Sequence, residues 1–356
     1  MKILLVGEYS GLHLNLKAGL EKLGHQVTTV GFRDGYKQIP IDIDLNTSQP
    51  FYIHVITRKF KLLKLTRTLK NFDIVQFINP FIFNYFPFRK FIFKKLIKNN
   101  KKSFLLAAGS DAYFWKYGRT YLKYSPHEEF LKFDMKKTTF YMESEKSFRF
   151  NDFIAKRVKG VIPIMFEYEV CYKDNPKLLS TIPIPINVHE IKYKDNIVVD
   201  NKLVVFHGLN KYGFKGTKHV EEAFECLGKK YPNDLELIIE GKLPLKEYLE
   251  LMERMNVVID QTSSYSCGVN ALLALAMGKV VLGGAEPEGL KSLKIKSSPV
   301  INIEPNVKTI IREIEKLLTQ KNEILEMGKQ SRKYIEEYHD SKKIATQYIN
   351  VWNAAQ

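Results

Sequence analysis

Along the whole chain, apolar runs of strand length alternate with segments of helix length, and few folds tolerate that order. Lys2–Val6 is such a run. After the loop Gly7–Gly11, Leu16, Leu20 and Leu23 share one helical face, Gly24 stops the helix, and Gln26–Val30 forms the next run. Further strands are predicted at Phe72–Ile78, Ser103–Ala108 and Val161–Ile164. Strands that read as continuous apolar runs are buried on both faces, so the first half predicts a doubly wound parallel sheet. Between Thr181 and Asp200 the texture changes to Ile-Pro-Ile-Pro-Ile-Asn, and the paired prolines forbid helix, which marks a linker. A second series follows: strands Leu203–His207, Leu235–Glu240, Val257–Asp260 and Val280–Leu282, with helices at His219–Leu227, Lys246–Met255 and Val269–Met277. From Val307 the tail reads as two helical segments broken near His339-Asp340. The 356 residues suit two domains. The expected architecture is two Rossmann-like α/β domains, 1–188 and 189–339, facing each other across a cleft, with the last helix, 340–356, packing back on the first.

Composition narrows the partners. The chain is 45% hydrophobic and 26% charged, as in ordinary soluble domains, and 55 Lys+Arg against 39 Asp+Glu leave a charge of +16. Such an excess attracts phosphates, nucleic acid or an anionic membrane surface. From Phe51 to Ser110 thirteen Lys/Arg stand against one acid, Asp73, which accounts for +12 of the total. If Arg89–Lys98 is helical, Ile92, Phe93, Leu96 and Ile97 lie together, while Lys90, Lys94, Lys95 and Lys98 cover most of the opposite side. Arg89–Lys102 is therefore a candidate patch for anionic lipid. Nucleic acid is not expected: Phe81, Phe83, Tyr85, Phe86 and Phe88 lie in a run broken by Pro80 and Pro87, which reads as core or cleft wall, and no nucleic-acid motif accompanies them.

Cys171, Cys226 and Cys267 are odd in number and lack CxxC spacing, which argues for a reducing compartment, buried or inert thiols and no structural zinc. The apolar run after Met1 is too short for a signal peptide, and the uncharged stretch Ile74–Phe88 spans 15 residues with two prolines, short of the ~20 needed to cross a bilayer. The expected location is cytoplasmic, at most peripheral on the inner face of the cell membrane.

Open α/β sheets bind ligands at the carboxyl ends of their strands. There, His207-Gly208-Leu209-Asn210-Lys211-Tyr212-Gly213-Phe214-Lys215-Gly216 joins a strand to a helix with three glycines and two lysines, a composition suited to a diphosphate. Free amides at Gly268, Val269 and Asn270, where an apolar helix starts, would make a second anion site. Gly7 and Gly11 let the backbone approach a ligand and Ser10 could cap the next helix, although their loop matches neither GxGxxG nor the P-loop; a tight turn is the alternative. Ser110 and Asp111 could contact sugar hydroxyls or cap the next helix. Glu167-Tyr168-Glu169 is a third candidate, and Asp42-Ile43-Asp44 mimics a DxD metal motif by accident.

The Lys-Gly loop, Glu240-Gly241 after the next strand, and the unit Gly268 to Val281 (Gly-x-Asn-Ala-Leu-Leu-Ala-Leu-Ala-Met-Gly-Lys-Val-Val) resemble the second domain of retaining GT-B glycosyltransferases of the glycogen-synthase-like group. The family signature there is G-x-P-x-x-E-A-M-A-x-G-K-P-V. The resemblance implies a nucleotide-sugar donor against the second domain, a basic pair gripping its diphosphate, and neither metal nor cofactor. Lys215 takes the place of the family lysine; Leu209 stands where an arginine is usual, with Lys211 as substitute. The family's Glu-x7-Glu pair is missing, because Tyr265 and Leu273 occupy those positions. Asn270, Glu286 and Glu288 are the nearest replacements, Glu288 the favoured one.

The reading that follows is a metal-independent, retaining hexosyltransferase acting on a glycan or lipid-linked acceptor, in bacterial surface polysaccharide synthesis. Lys215, Lys211, Asp111 and Glu288 are its candidate catalytic residues. Its candidate donor contacts are Gly7, Gly11, His207, Gly208, Asn210, Gly216, Glu240, Gly241, Tyr265, Gly268, Val269, Asn270 and Glu286. Two alternatives stand beside it: a nucleotide-sugar epimerase of the same fold, and an inactive nucleotide-sugar-binding scaffold.

Overall fold

A computed structural model describes residues 1–46, 61, 63–86, 88–132, 142–209, 212–241 and 243–355. The chain divides into two compact units, one of Met1–Thr120, Phe140–Asn187 and Ser341–Gln356, the other of Tyr121–Thr139 and Val188–Asp340. Each is a Rossmann-like α/β domain with an all-parallel sheet. Tyr121–Thr139, included with the first domain in the sequence reading, groups with the second.

The first sheet contains β1 (Lys2–Val6), β2 (Gln26–Gly31), β3 (Ile43–Asp44), β4 (Ile74–Ile78), β5 (Lys102–Ala107) and β6 (Gly160–Pro163), in the order β3-β2-β1-β4-β5-β6. Ile3, Leu4, Leu5 and Val6 are fully buried, as are Phe104, Leu105 and Leu106, in keeping with a sheet covered on both faces. The short edge strand β3 was not expected from the sequence. Its aspartates are structural: Asp42 receives Lys17 Nζ at 2.5 Å and the Thr29 amide at 2.8 Å, and Asp44 receives Arg33 Nε at 2.8 Å. Order reverses between β1 and β4, the switch point of this sheet.

The C-terminal helix Ser341–Ala354 packs on helix Leu12–Lys22. Trp352, fully buried, donates from Nε1 to Gln76 Oε1 at 3.3 Å; Gln76 Nε2 lies 3.3 Å from His13 Nε2, and His13 Nδ1 lies 2.7 Å from the Gly7 carbonyl. The only consistent assignment is a neutral His13 that donates from Nδ1 and accepts at Nε2. Burial agrees, lowering its pKa to about 4. Lys102 donates to the carbonyls of Trp352, Asn353 and Ala355, neutralising the end of that helix. It is thereby removed from the predicted basic patch. From Val307 the tail is three helices, not two: Val307–Thr319 and Ile324–Tyr338, separated by a short turn at Lys321–Glu323, precede Ser341–Ala354.

In the second sheet, β7 (Leu203–Gly208), β8 (Leu235–Glu240), β9 (Val257–Ile259), β10 (Val280–Gly283) and β11 (Ile301–Asn302) lie in the order β11-β10-β9-β7-β8. Val220, Ala223 and Leu227 of helix Thr217–Lys230 and Ile310, Ile314 and Leu317 of helix Val307–Thr319 share one core with the strands. They recur at the three- and four-residue spacing of a helix face. The switch point falls between β7 and β9, so the loops after these two strands are the ones a ligand would meet. Among the three cysteines Cys171 is buried and Cys226 is exposed, on the solvent side of helix Thr217–Lys230.

Candidate functional site

At the β7–β9 switch point the two loops are joined by one carboxylate. Asp260, which follows β9 and is 1% exposed, accepts Lys215 Nζ at Oδ1 (3.0 Å) and the Gly268 amide at Oδ2 (3.2 Å). Lys215 belongs to the loop after β7; Gly268 is the N-cap of helix Val269–Ala276. A lysine and a helix N-terminus, the two predicted anion-binding elements, therefore meet at one point. Asp260 was read in the sequence as the last residue of its strand. An acid ending the run Val257-Val258-Ile259 was the signal for it.

Around this pair the backbone is tightly fitted. Gly216 has φ 74°, and a Cβ there would lie 1.7 Å from Thr262 Oγ1, so glycine alone fits. His207, fully buried, has Nδ1 3.0 Å from the Ile259 carbonyl and Nε2 3.0 Å from Thr217 Oγ1. Burial, with Lys215 nearby, lowers its pKa to about 4, so the ring is neutral, donating to the carbonyl and accepting the hydroxyl. With both nitrogens used, His207 fixes the β7 loop to β9 and helix Thr217–Lys230, whereas the sequence suggested a donor contact. Among the described residues, Thr262 Oγ1 is buried without a hydrogen-bond partner and borders Gly216, while the Asn270 side chain pairs with Tyr248 and borders Gly208. A buried polar atom is rarely left unpartnered.

Of the other predicted positions, Asn210 and Lys211 lie outside the described residues. Gly208 ends β7 and faces the Asn270 amide. Glu240 is exposed, and Gly241 is there because the Leu209 carbonyl would sit 1.6 Å from a Cβ. Val269 and Asn270 open the apolar helix. Tyr265 is buried, and its hydroxyl accepts the Lys123 amide at 2.8 Å. Glu286, at the N-cap of helix Pro287–Ser292, accepts Tyr124 Oη at 2.6 Å and Asn302 Nδ2 at 2.8 Å. Glu288 is exposed in the first turn of that helix.

The remaining candidates belong to the first domain. Gly7 and Gly11 both have positive φ, 93° and 82°, and Gly11 is the N-cap of helix Leu12–Lys22. The capping oxygen comes from Glu8 Oε2, which accepts the Leu14 amide at 2.9 Å, not from Ser10. Asp111, of the two uses open to it, serves as a cap. It is fully buried, accepts the Phe114 amide at 2.9 Å and Tyr172 Oη at 2.7 Å, and burial raises its pKa to about 6. Glu169 accepts Thr181 Oγ1 at 2.7 Å. Among the described residues no group of three His, Cys, Asp or Glu side chains is arranged to hold a metal ion.

No protein-family model matches the chain, and no curated protein matches it in sequence. Solved structures do match. Anabaena Alr3699/HepE in complex with UDP-glucose is similar over 99% of this chain and 100% of its own, with a TM-score of 0.65 and 13% identity. Sucrose-phosphate synthase (tll1590) from Thermosynechococcus elongatus covers 99% and 98%, at 0.65 and 14%. A glycosyltransferase from Rickettsia africae ESF-5 covers 99% and 97%, at 0.57 and 12%. The fold is GT-B. At such identity the shared property is the fold, and in a GT-B chain the function has to be argued from the residues at its switch points.

Proposed function

We propose that the chain transfers a sugar from a nucleotide-diphosphate donor to a glycan or lipid-linked acceptor, without a metal and with retention of configuration, in bacterial surface polysaccharide synthesis. The donor is assigned to the second domain and the acceptor to the first. One observation carries the reading: Lys215 and the Gly268 helix terminus meet on the Asp260 carboxylate at the switch point of the second sheet, so a cation and a helix N-terminus already converge on an anion there. Charge that builds on a departing diphosphate is stabilised by positioned ammonium and amide groups, with no proton transfer needed. Thr262 offers a further buried polar atom at the same place. The presence of UDP-glucose in the complex with the Anabaena protein supports a uridine nucleotide as the first donor to try. Glu288, exposed beside this site, is retained as the candidate acid of the β10 loop, and Lys211 as the second cation. The basic face of the first domain suggests a cytoplasmic enzyme resting on the inner membrane surface.

The test combines binding and turnover. A nucleoside diphosphate at 100 times its Kd raises stability by ~2.7 kcal/mol, which a thermal-shift screen detects. Lys215→Ala is expected to lower turnover by ~10²–10³, the loss typical of one transition-state donor. Undiminished turnover removes Lys215 from the mechanism. Nucleotide release that depends on an acceptor supports transfer, and conversion of donor without acceptor supports the epimerase instead.

A further inference from the structure

The loops of the candidate donor site are already occupied, by a segment of the same domain. Glu129, on helix Pro126–Lys132 and 5% exposed, accepts the Gly216 amide at Oε2 (2.5 Å) and lies 3.4 Å from the Lys218 amide at Oε1. These are amides at the N-terminus of helix Thr217–Lys230, where partial positive charge gathers and where a phosphate oxygen would sit. The rest of the segment is fastened to the neighbouring loops. Phe130 packs on Phe214, with ring centroids 4.9 Å apart, at the β7 loop. The Lys123 amide donates to the Tyr265 hydroxyl at the β9 loop, where Tyr124 and Tyr265 pack with centroids 5.2 Å apart. Tyr124 donates to Glu286 at the β10 loop. Three loops at the carboxyl edge of the sheet, those after β7, β9 and β10, are thus held by residues 123–130.

We propose that Glu129 is an internal anion seated in the diphosphate position, so that donor binding and displacement of Tyr121–Lys132 are one event. The proposal rests on the diphosphate reading of these loops. The carboxylate and a phosphate compete for the same amides. The segment therefore lowers the apparent affinity for every nucleoside diphosphate by the fraction of molecules in which the site is open. Its hold is not maximal. Burial raises the pKa of Glu129, with Glu221 adding to the effect and the two amides opposing it, so the ionised form is kept at some cost. An anion with more charge than one carboxylate, drawn also by Lys215, can replace it.

The test uses the full chain, with UDP and inorganic pyrophosphate as probes, in calorimetric titrations of the wild type, Glu129→Gln and Tyr124→Phe. Glu129→Gln keeps the shape and removes the charge, and is expected to bind both probes at least ~10-fold more tightly. Tyr124→Phe frees the far end of the segment and is expected to tighten binding by less. Hydrogen exchange across residues 121–132 is expected to rise when UDP is added to the wild type. Lys215→Ala, in either background, is expected to weaken binding. Equal or weaker binding by Glu129→Gln, or exchange that does not change on adding UDP, overturns the proposal and leaves the nucleotide reading standing. If no variant binds UDP, pyrophosphate or another nucleoside diphosphate, both fail together.

Discussion

Glu8, in the loop after β1, and His13, in the first turn of helix Leu12–Lys22, titrate in opposite senses. Burial, with Asp34 adding to it and the Leu14 amide opposing it, raises Glu8 from 4.5 to about 7; burial lowers His13 from 6.5 to about 4. A carboxyl whose folded pKa is raised contributes stability below its unfolded pKa and loses it as pH rises through the folded one. A histidine whose folded pKa is lowered does the reverse, losing its contribution as pH falls from 6.5 toward 4. Their slopes oppose each other in the window between, and Glu8→Gln should uncover the histidine. The variant's unfolding free energy is expected to gain on the wild type by ~3 kcal/mol as pH rises from 4.5 to about 7, measured by denaturant titration at both ends. A difference that does not vary with pH would mean that Glu8 is ionised in the fold. The same residue also explains a shortfall of the sequence reading. Ser10 sits where a cap is usual, yet the side chain three positions before the N-cap reaches the amide.

At the scale of elements, the C-terminal helix is fixed by close approach as much as by Trp352. Gly19 faces the Ser341 carbonyl, and a Cβ at Gly19 would lie 2.0 Å from that oxygen. Backbone on both sides leaves nothing to yield. Gly19→Ala is expected to cost ~1–3 kcal/mol, read as a lower Tm and earlier proteolysis within Ser341–Ala354. An unchanged Tm would show that the two helices can separate freely. The buried relay from Trp352 through Gln76 and His13 to the Gly7 carbonyl ties this helix to the loop after β1. The tail's length and its break at His339-Asp340 were legible in the sequence. The polar partners were not, because Gln76 lies inside a strand read as apolar.

For the whole molecule, part of the charge of +16 lies on one helix face. On helix Arg89–Lys98, Ile92, Phe93 and Leu96 are buried and Lys90, Lys94 and Lys98 are exposed, as the spacing indicated. Phe88, expected in core or cleft wall, is 69% exposed, and Phe91 is 56% exposed. The reason is that Phe88 is the left-handed N-cap of this helix, which turns it away from the sheet. Two aromatic rings among lysines suit the interface of an anionic bilayer, where each lysine contributes ~1 kcal/mol. Replacing Lys90, Lys94 and Lys98 by Gln is therefore expected to reduce co-sedimentation with phosphatidylserine vesicles about 10²-fold, and raised salt should do the same to the wild type. Equal recovery with neutral vesicles would remove the membrane from the reading.

Periodicity, proline and glycine are local properties, and they were enough for two parallel α/β domains. The edge strands β3 and β11 escaped because two residues carry no pattern. Which groups face the lysine is a matter of contacts across long sequence separations: Asp260 lies 45 residues from Lys215, and Glu129 lies 87 from Gly216. Only packing brings such charges together, and only packing withdraws them from water. Burial then decided that His207 and Asp111 spend their polar atoms on hydrogen bonds within the fold, and that Glu129 accepts from the amides at the start of helix Thr217–Lys230.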